Sequence, residues 1–194
     1  MSESSPQDAT AADARGRRTI LLVAAACLAP VVASYAVYYV FPRGAQANYG
    51  TLLATAPAPT IEGTVDGGAP FRLADFRGRW VLLAGGAAAC DAACERTLYA
   101  TRQAHTMQGT ERGRVVRVWL DAGGAPPTPG LRAQHPGLVF ARVPAGALAA
   151  LPGAQSGIWL IDPLGNLVLS YPGDPDIMRL AKDLERVLRA SRIG

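Results

Sequence analysis

Cysteine and histidine are both scarce in this sequence. It contains three cysteines and two histidines in 194 residues. Cys90 and Cys94 form the only close pair, and Cys27 stands alone in an apolar stretch. One pair is too few for the disulfide scaffold that holds many small secreted domains together, so the chain must fold around a hydrophobic core.

Lysine is nearly absent, and the basic residues are not grouped. The formal net charge is +4 and the pI is near 9.2, yet Lys182 is the only lysine. The arginines are scattered along the chain, and they form no basic stripe with interleaved aromatic residues, which a nucleic-acid-binding surface would need. The composition therefore argues against a nucleic-acid partner and is typical of a mixed solvated surface.

Charged residues are missing from one long stretch near the N-terminus. Residues 19–41 form an uncharged, mostly apolar run of 23 residues, which is long enough to cross a bilayer core of about 30 Å as a helix. Arg15, Arg17 and Arg18 precede this run, and only Arg43 follows it closely. Because positive charge stays on the cytoplasmic side, the asymmetry predicts a single-pass helix in the cytoplasmic (inner) membrane. The N-terminus would lie in the cytoplasm and the C-terminal domain in the periplasm.

Other interpretations of the apolar run stay open. Residues 45–47 have the small-x-small form of a signal-peptide cleavage site, although the run is longer than the usual apolar core of about 7–15 residues. A lipoprotein signal at Cys27 is disfavoured because the residues after it remain apolar. Arg17 and Arg18 are a weak match to a twin-arginine export signal. The sequence leaves undecided whether the anchor is cleaved.

Composition divides the chain into four predicted segments. Residues 1–18 form a cytoplasmic tail whose first 14 or so residues, rich in Ser, Ala, Asp and Gln, are expected to be disordered. The transmembrane helix covers 19–41, a linker containing Gly, Ala, Pro and Asn covers 42–58, and a folded domain covers 59–194.

The order of elements in that domain predicts an α/β fold. A short hairpin or strand and turn is expected around Phe71 and Leu73. Apolar runs and alternation then predict strands at 80–84, 114–120, 137–143, 157–161 and 166–171. Helices are expected from near Cys94 to Met107, at 145–151, and from a cap at Asp174 to the C-terminus. Crossover connections followed by a hairpin and a helix indicate a thioredoxin-like fold, here preceded by a single transmembrane helix.

The cysteine pair lies where a predicted buried strand meets a helix. On a helix, the spacing of Cys90 and Cys94 would place both sulfurs on one face, and a helix N-terminus stabilises a thiolate. Such a pair can form a disulfide or hold a soft ion such as Cu(I). Two small core cysteines without a role are the alternative. Asp91 and Glu95 place negative charge beside the thiols, which should raise their pKa and slow a nucleophilic reaction.

Five motifs occur in a characteristic order. They are Phe71-Arg72-Leu73 with Asp75 and Gly78, the strand Val81-Leu82-Leu83, the Cys90-x-x-x-Cys94 spacing, Trp119-Leu120-Asp121, and the hairpin from Trp159 through Asp162-Pro163 to Gly165. Together with the anchor they resemble the Sco/SenC family, the membrane-anchored thioredoxin-like proteins of cytochrome c oxidase assembly. The resemblance covers roughly residues 59–192.

The resemblance implies roles for Cys90 and Cys94. In that family the two cysteines and a distal histidine bind copper, and the protein metallates the copper centre of oxidase subunit II or reduces the cysteines of that subunit. Oxidase subunit II or another assembly factor is therefore the implied partner, and copper is the only implied cofactor. Ala154 stands at the position of the family's histidine, so the sequence is identified as a divergent member. Asp91 and Glu95 replace the usual prolines, and residues 86–89 replace the usual aromatics.

Neither histidine of this sequence is expected to replace the missing ligand. His105 lies 11 residues beyond Cys94 on the same predicted helix, which is about 16 Å along the axis. His135 precedes a strand and is expected to be a solvent-exposed loop residue. Three functions remain possible, namely a copper carrier, a thiol-disulfide reductase that needs only the two catalytic cysteines, and a non-catalytic assembly or scaffold protein with a structural disulfide.

Overall fold

The computed structural model describes residues 6–40, 48–86, 90–123, 128–153 and 157–191. The chain divides into two compact units, Met1–Ala47 and Asn48–Gly194.

The first unit contains helix α1, Pro6–Val40. Within it, Arg17–Ala36 is long and apolar enough to cross a membrane, and none of this stretch is buried against protein. It is a candidate single-pass anchor. The expected disorder of the first 14 or so residues is wrong from Pro6 onward, because the helix already begins there. The four alanines between Pro6 and Arg15 favour helix, and proline is tolerated in a first turn.

The second unit is built on one mixed sheet. Its strands, among the described residues, are β1 Thr51–Pro57, β2 Glu62–Val65, β3 Pro70–Arg72, β4 Trp80–Gly86, β5 Val115–Asp121, β6 Leu138–Arg142, β7 Gly157–Ile161 and β8 Asn166–Tyr171. They lie in the order β1-β8-β7-β4-β5-β6-β2-β3. β5 is parallel to both β4 and β6, and the other pairs are antiparallel. The predicted central position of 80–84 is confirmed.

Three α-helices and three short 3-10 helices complete the described part of this unit. They are α2 Ala92–Thr106, α3 Pro129–Gln134 and α4 Ile177–Ala190, with 3-10 turns at Leu73–Phe76, Gly109–Arg114 and Ala147–Ala150. Helices α2 and α4 pack together on one face of the sheet, where Leu82 of β4 meets Leu98 and Leu184. Leu83, the next residue of β4, enters a second core on the opposite face. The central strand is therefore buried on both sides, which its continuous apolar sequence requires.

Two boundaries differ from those expected. Strand β1 lies inside the predicted linker and pairs with β8, with Leu52 opposite Leu169. Almost all of its side chains are exposed, so it has no apolar periodicity to reveal it. The cap of α4 is Asp176, whose side chain accepts from the Arg179 N–H at 2.9 Å. Asp174 instead forms an ion pair with an arginine of α2.

Candidate redox site at the start of helix α2

The site lies at the carboxyl end of the central strands. Gly86, the last residue of β4, pairs with Asp121, the last residue of β5. Residues 87–89 are outside the described ranges, and Cys90 resumes the chain just before α2. Carboxyl ends of parallel strands are where α/β sheets place their functional sites.

Cys90 and Cys94 are joined by a disulfide, with their Cα atoms 5.1 Å apart. The expectation that both sulfurs share a helical face is wrong. Helix α2 begins at Ala92 with Asp91 as its cap, so Cys90 precedes the helix and only Cys94 belongs to its first turn. The turn of the chain at Asp91 brings the two sulfurs together.

The two sulfurs differ in accessibility. Cys94 is 9% exposed and belongs to the core formed by α2, α4 and the sheet. Cys90 is half-buried and packs at the margin of the same core. A reacting molecule therefore reaches Cys90 more easily than Cys94, which is the asymmetry needed for attack at one sulfur and resolution by the other.

Asp91 caps the helix at this site. Its Oδ1 accepts hydrogen bonds from the N–H groups of Ala93 and Cys94, both at 3.0 Å. The bond from Cys94 is the main reason why the pKa of Asp91 lies below its usual value. The carboxylate thus occupies the positive end of α2, which would otherwise stabilise a thiolate. Glu95, which is exposed, adds a second negative charge in the first turn.

His105 has a structural environment. Its Nε2 lies 3.0 Å from the carbonyl oxygen of Arg112 and 3.1 Å from that of Val115. Burial lowers its pKa. The side chain ties the last turn of α2 to the start of β5.

His135 does not lie where the sequence suggested. The expected solvent-exposed position is wrong, because the residue is 4% exposed at the end of α3. Its Nδ1 is buried and has no hydrogen-bond partner in the described part of the chain. Burial, helped by the nearby charges of Arg102 and Arg117, lowers its pKa to about 4. Short loops that fold back on a core bury polar residues without leaving a hydropathy signal.

The two cysteine sulfurs are the candidate metal ligands at this site. Among the described residues, no group of three or more His, Cys, Asp or Glu side chains could hold an ion. Ala154, at the position of the family's histidine, lies outside the described residues, as do positions 87–89 of the replaced aromatic segment. After reduction, two thiolates suit Cu(I), whereas Cu(II) prefers nitrogen and oxygen ligands.

A protein-family model matches most of the second unit. Residues 80–191 match the family described as transmembrane-like, thioredoxin-like, C-terminal domain. The chain belongs to this family. The predicted α/β class with a thioredoxin-like fold is therefore confirmed. Among curated proteins, no sequence matches this chain.

Solved structures give the same fold. Copper-bound ScoI from Arabidopsis thaliana is 17% identical with a TM-score of 0.55, over 70% of this chain and 99% of that one. Apo Sco1 from Thermus thermophilus is 22% identical with a TM-score of 0.54, over 76% and 99%. A putative thiol:disulfide interchange protein DsbE from Chlorobium tepidum is 18% identical with a TM-score of 0.51, over 74% and 100%. At these identities the likeness confirms the Sco resemblance at the level of fold, which copper chaperones and thiol-disulfide oxidoreductases share.

Proposed function

We propose that this chain is a membrane-anchored thiol-disulfide reductase that prepares the copper-site cysteines of a partner during cytochrome c oxidase assembly. The observation that carries the proposal is the disulfide at the start of α2, with Cys90 accessible and Cys94 buried. A structural disulfide, a metal clip or two isolated thiols would not require this asymmetry.

The reaction starts from the reduced pair. The Cys90 thiolate attacks one sulfur of the partner's disulfide, forming a mixed disulfide while the other partner sulfur leaves as a thiolate. The Cys94 thiolate then attacks Cys90 Sγ, closing the Cys90–Cys94 disulfide and releasing the second partner thiolate. The partner gains two electrons and this protein loses two. An external dithiol returns the pair to the reduced state by the same exchange.

The electrostatics of the site favour the reducing direction. Asp91 and Glu95 place negative charge beside the sulfurs, which disfavours thiolates relative to the uncharged disulfide. A pair whose reduced form is not stabilised gives up electrons readily, in contrast to strong oxidants whose thiolate is stabilised. The cap at Asp91 therefore supports a reductase rather than an oxidase of thiols.

The partner and compartment follow from the resemblance and the anchor. The candidate span in α1 would hold the domain at the outer face of the cytoplasmic membrane, in the periplasm. Oxidase subunit II, or another assembly factor of that enzyme, is the proposed partner because Sco/SenC proteins act there. Reduction of either partner requires no reactive residue of this chain other than Cys90 and Cys94.

A redox titration tests the central proposal. The full chain carrying Cys27→Ala would be equilibrated in detergent with defined thiol-disulfide buffers, and the reduced fraction counted by maleimide mass shift. An exchanging pair should titrate above about −300 mV, the value below which structural disulfides resist reduction. A pair that stays oxidised throughout would mean a structural disulfide and a non-catalytic assembly or scaffold protein. Cys90→Ala should abolish exchange.

Copper carriage is the second candidate function. Reduction of the disulfide leaves two thiolates whose Cα atoms are already 5.1 Å apart, which suits delivery of Cu(I) as cargo. The copper-bound Arabidopsis thaliana ScoI shows that the fold accommodates the ion. Titration of the reduced full chain with Cu(I) against a competing chelator should give stoichiometric binding that Cys90→Ala/Cys94→Ala removes. Absence of binding would eliminate this candidate and leave the reductase proposal intact.

A further inference from the structure

An open groove runs along the exposed face of α2, beginning at Ala92, the first residue of that helix. Its volume is about 510 Å³, and its lining extends from Ala92 to Arg102 on α2 and to His135 on the opposite side. Ala92 is two residues from Cys90. Ten residues of helix rise about 15 Å, so the far end of the groove lies about that distance along α2 from the redox site.

The end of the groove near the cysteines carries a net negative charge. Glu95 and Asp174 both line it there, together with Arg96. The Arg96 Nε lies 3.4 Å from Asp174 Oδ2, so one carboxylate is already paired. One negative charge, that of Glu95, is left over at this end.

The far end is positive and lacks an anion. The Arg102 guanidinium lies over the Tyr99 ring, 5.4 Å from its centroid, and donates only to the backbone carbonyl of Gln134. Behind it, Arg117 is 4% exposed and donates from Nη2 to the Pro136 carbonyl at 3.0 Å. Its Nη1 has no partner within the described ranges. In the described part of the chain neither arginine is paired with a carboxylate.

Buried His135 forms part of the wall at this end of the groove. Its Nδ1 has no hydrogen-bond partner among the residues that the structure describes. Its depressed pKa keeps the ring neutral at pH 7. The Arg117 guanidinium and the His135 ring are both buried, so the half-buried Arg102 guanidinium is the group that an arriving carboxylate would meet. Such a contact is a charge-assisted hydrogen bond, and the buried charge of Arg117 behind it adds to the attraction. The far end of the groove is therefore suited to an acidic side chain.

We propose that this α2 groove binds an extended segment of the protein partner, with the partner's cysteine at Cys90 and an acidic residue four or five positions away at Arg102. The spacing follows from the groove, because an extended chain advances about 3.3 Å per residue and must cover about 15 Å. The inference rests on the proposed exchange function and adds to it a substrate class, namely cysteine-containing segments with a carboxylate at that distance.

Peptide exchange kinetics test the spacing. The full chain with Cys27→Ala/Cys94→Ala, in detergent, would react with extended peptides whose single cysteine carries a chromophoric aromatic thiol as a mixed disulfide. Cys90 attack then releases the chromophore. A peptide with Glu four or five residues from its cysteine should react at least about five times faster than the same peptide with Gln. Glu at two or eight residues should give no such gain.

Arginine variants identify the binding site. Arg102→Gln should bring the Glu-to-Gln rate ratio close to one, and Arg102→Lys should restore part of it. Arg112→Gln, a change at an exposed arginine outside the groove, should leave the ratio unchanged. Circular dichroism melting would confirm that each variant is folded.

The outcomes separate this inference from the proposed function. Equal rates for all peptides, or a ratio unaffected by Arg102→Gln, would overturn the groove inference while exchange itself persists. Reaction with a small aromatic disulfide but with no peptide would overturn it as well. A failure of Cys90 to react even with the small disulfide would remove the proposed exchange function and, with it, the inference.

Discussion

Asp91 controls both the start of α2 and the charge beside the thiols. Asp91→Asn keeps a good capping side chain but removes the carboxylate that accepts from Ala93 and Cys94. In the reduced protein the Cys90 thiolate should then be favoured, because the negative charge on the neighbouring residue is gone. We expect alkylation of Cys90 at neutral pH to accelerate about two- to five-fold, with a less negative reduction potential.

The matching controls separate charge from capping. Glu185→Gln removes an exposed carboxylate far from the site on α4 and should leave the alkylation rate unchanged. Asp91→Ala removes cap and charge together and should also destabilise the fold, because two N–H groups of the first turn lose their acceptor. An unchanged rate in Asp91→Asn would show that this carboxylate does not tune the thiol.

His135 should make the stability of the domain depend on pH. Its pKa is about 4 in the folded protein, against an ordinary value of 6.5. Between these values the unfolded chain binds a proton that the folded chain does not, so stability falls as the pH is lowered from about 6.5 towards 4. His135→Gln should flatten this dependence, as measured by urea unfolding at several pH values. His105 is present in both proteins, so its contribution cancels, and an identical slope would contradict the depressed pKa.

At the scale of elements, the buried carboxylate of Asp183 on α4 binds the backbone just before β1. Asp183 is 2% exposed, accepts from the Gly50 N–H at 2.8 Å and pairs with Arg186 at 3.0 Å. Asp183→Ala leaves that N–H unpaired and should lower the free energy of unfolding by about 2–3 kcal/mol. Glu185→Ala, on the same helix, removes only an exposed ion pair with Arg189 and should cost less than about 1 kcal/mol. Equal effects in urea unfolding would refute the anchoring role.

The elements that the sequence could predict are those with an apolar pattern. The buried strand at 80–84, the hairpin strands at 157–161 and 166–171, and the helix after the cysteines all agree with the structure within a few residues. Strand β1 was missed because backbone pairing, not side-chain burial, defines it.

At the candidate site, too, some features could be predicted from the sequence and others could not. Its cysteines were evident from their spacing, since close pairs are rare in a chain with so few. The capping role of Asp91 depends on where α2 begins, and Asp174 with Pro175 offered an equally good cap signal that the fold does not use. The burial of His135 and the uncompensated charge of Arg117 arise only when α3 folds onto the sheet. Long-range packing of this kind has no local sequence signature.

For the whole molecule, the remaining question is on which side of the membrane the second unit lies. Arg15, Arg17 and Arg18 before the apolar run, against Arg43 after it, predict a cytoplasmic N-terminus. A disulfide at Cys90–Cys94 is compatible with this orientation, because exported compartments permit disulfides and the cytosol keeps thiols reduced. The two features are independent, one resting on charge and the other on redox chemistry.

A reporter fusion decides the orientation. Alkaline phosphatase, which is active only after export, would be fused after the C-terminal residue of the full chain in a bacterial host. We expect high activity in the membrane fraction and low activity when residues 1–47 are deleted. Replacing Arg15, Arg17 and Arg18 by Gln should reduce export, because positive charge on the cytoplasmic flank sets the direction of insertion. An inactive full-length fusion, with activity from a cytoplasmic reporter in its place, would put the cysteines in a reducing compartment. The disulfide would then be a transient catalytic state, and a role at the outer face of the membrane would be excluded.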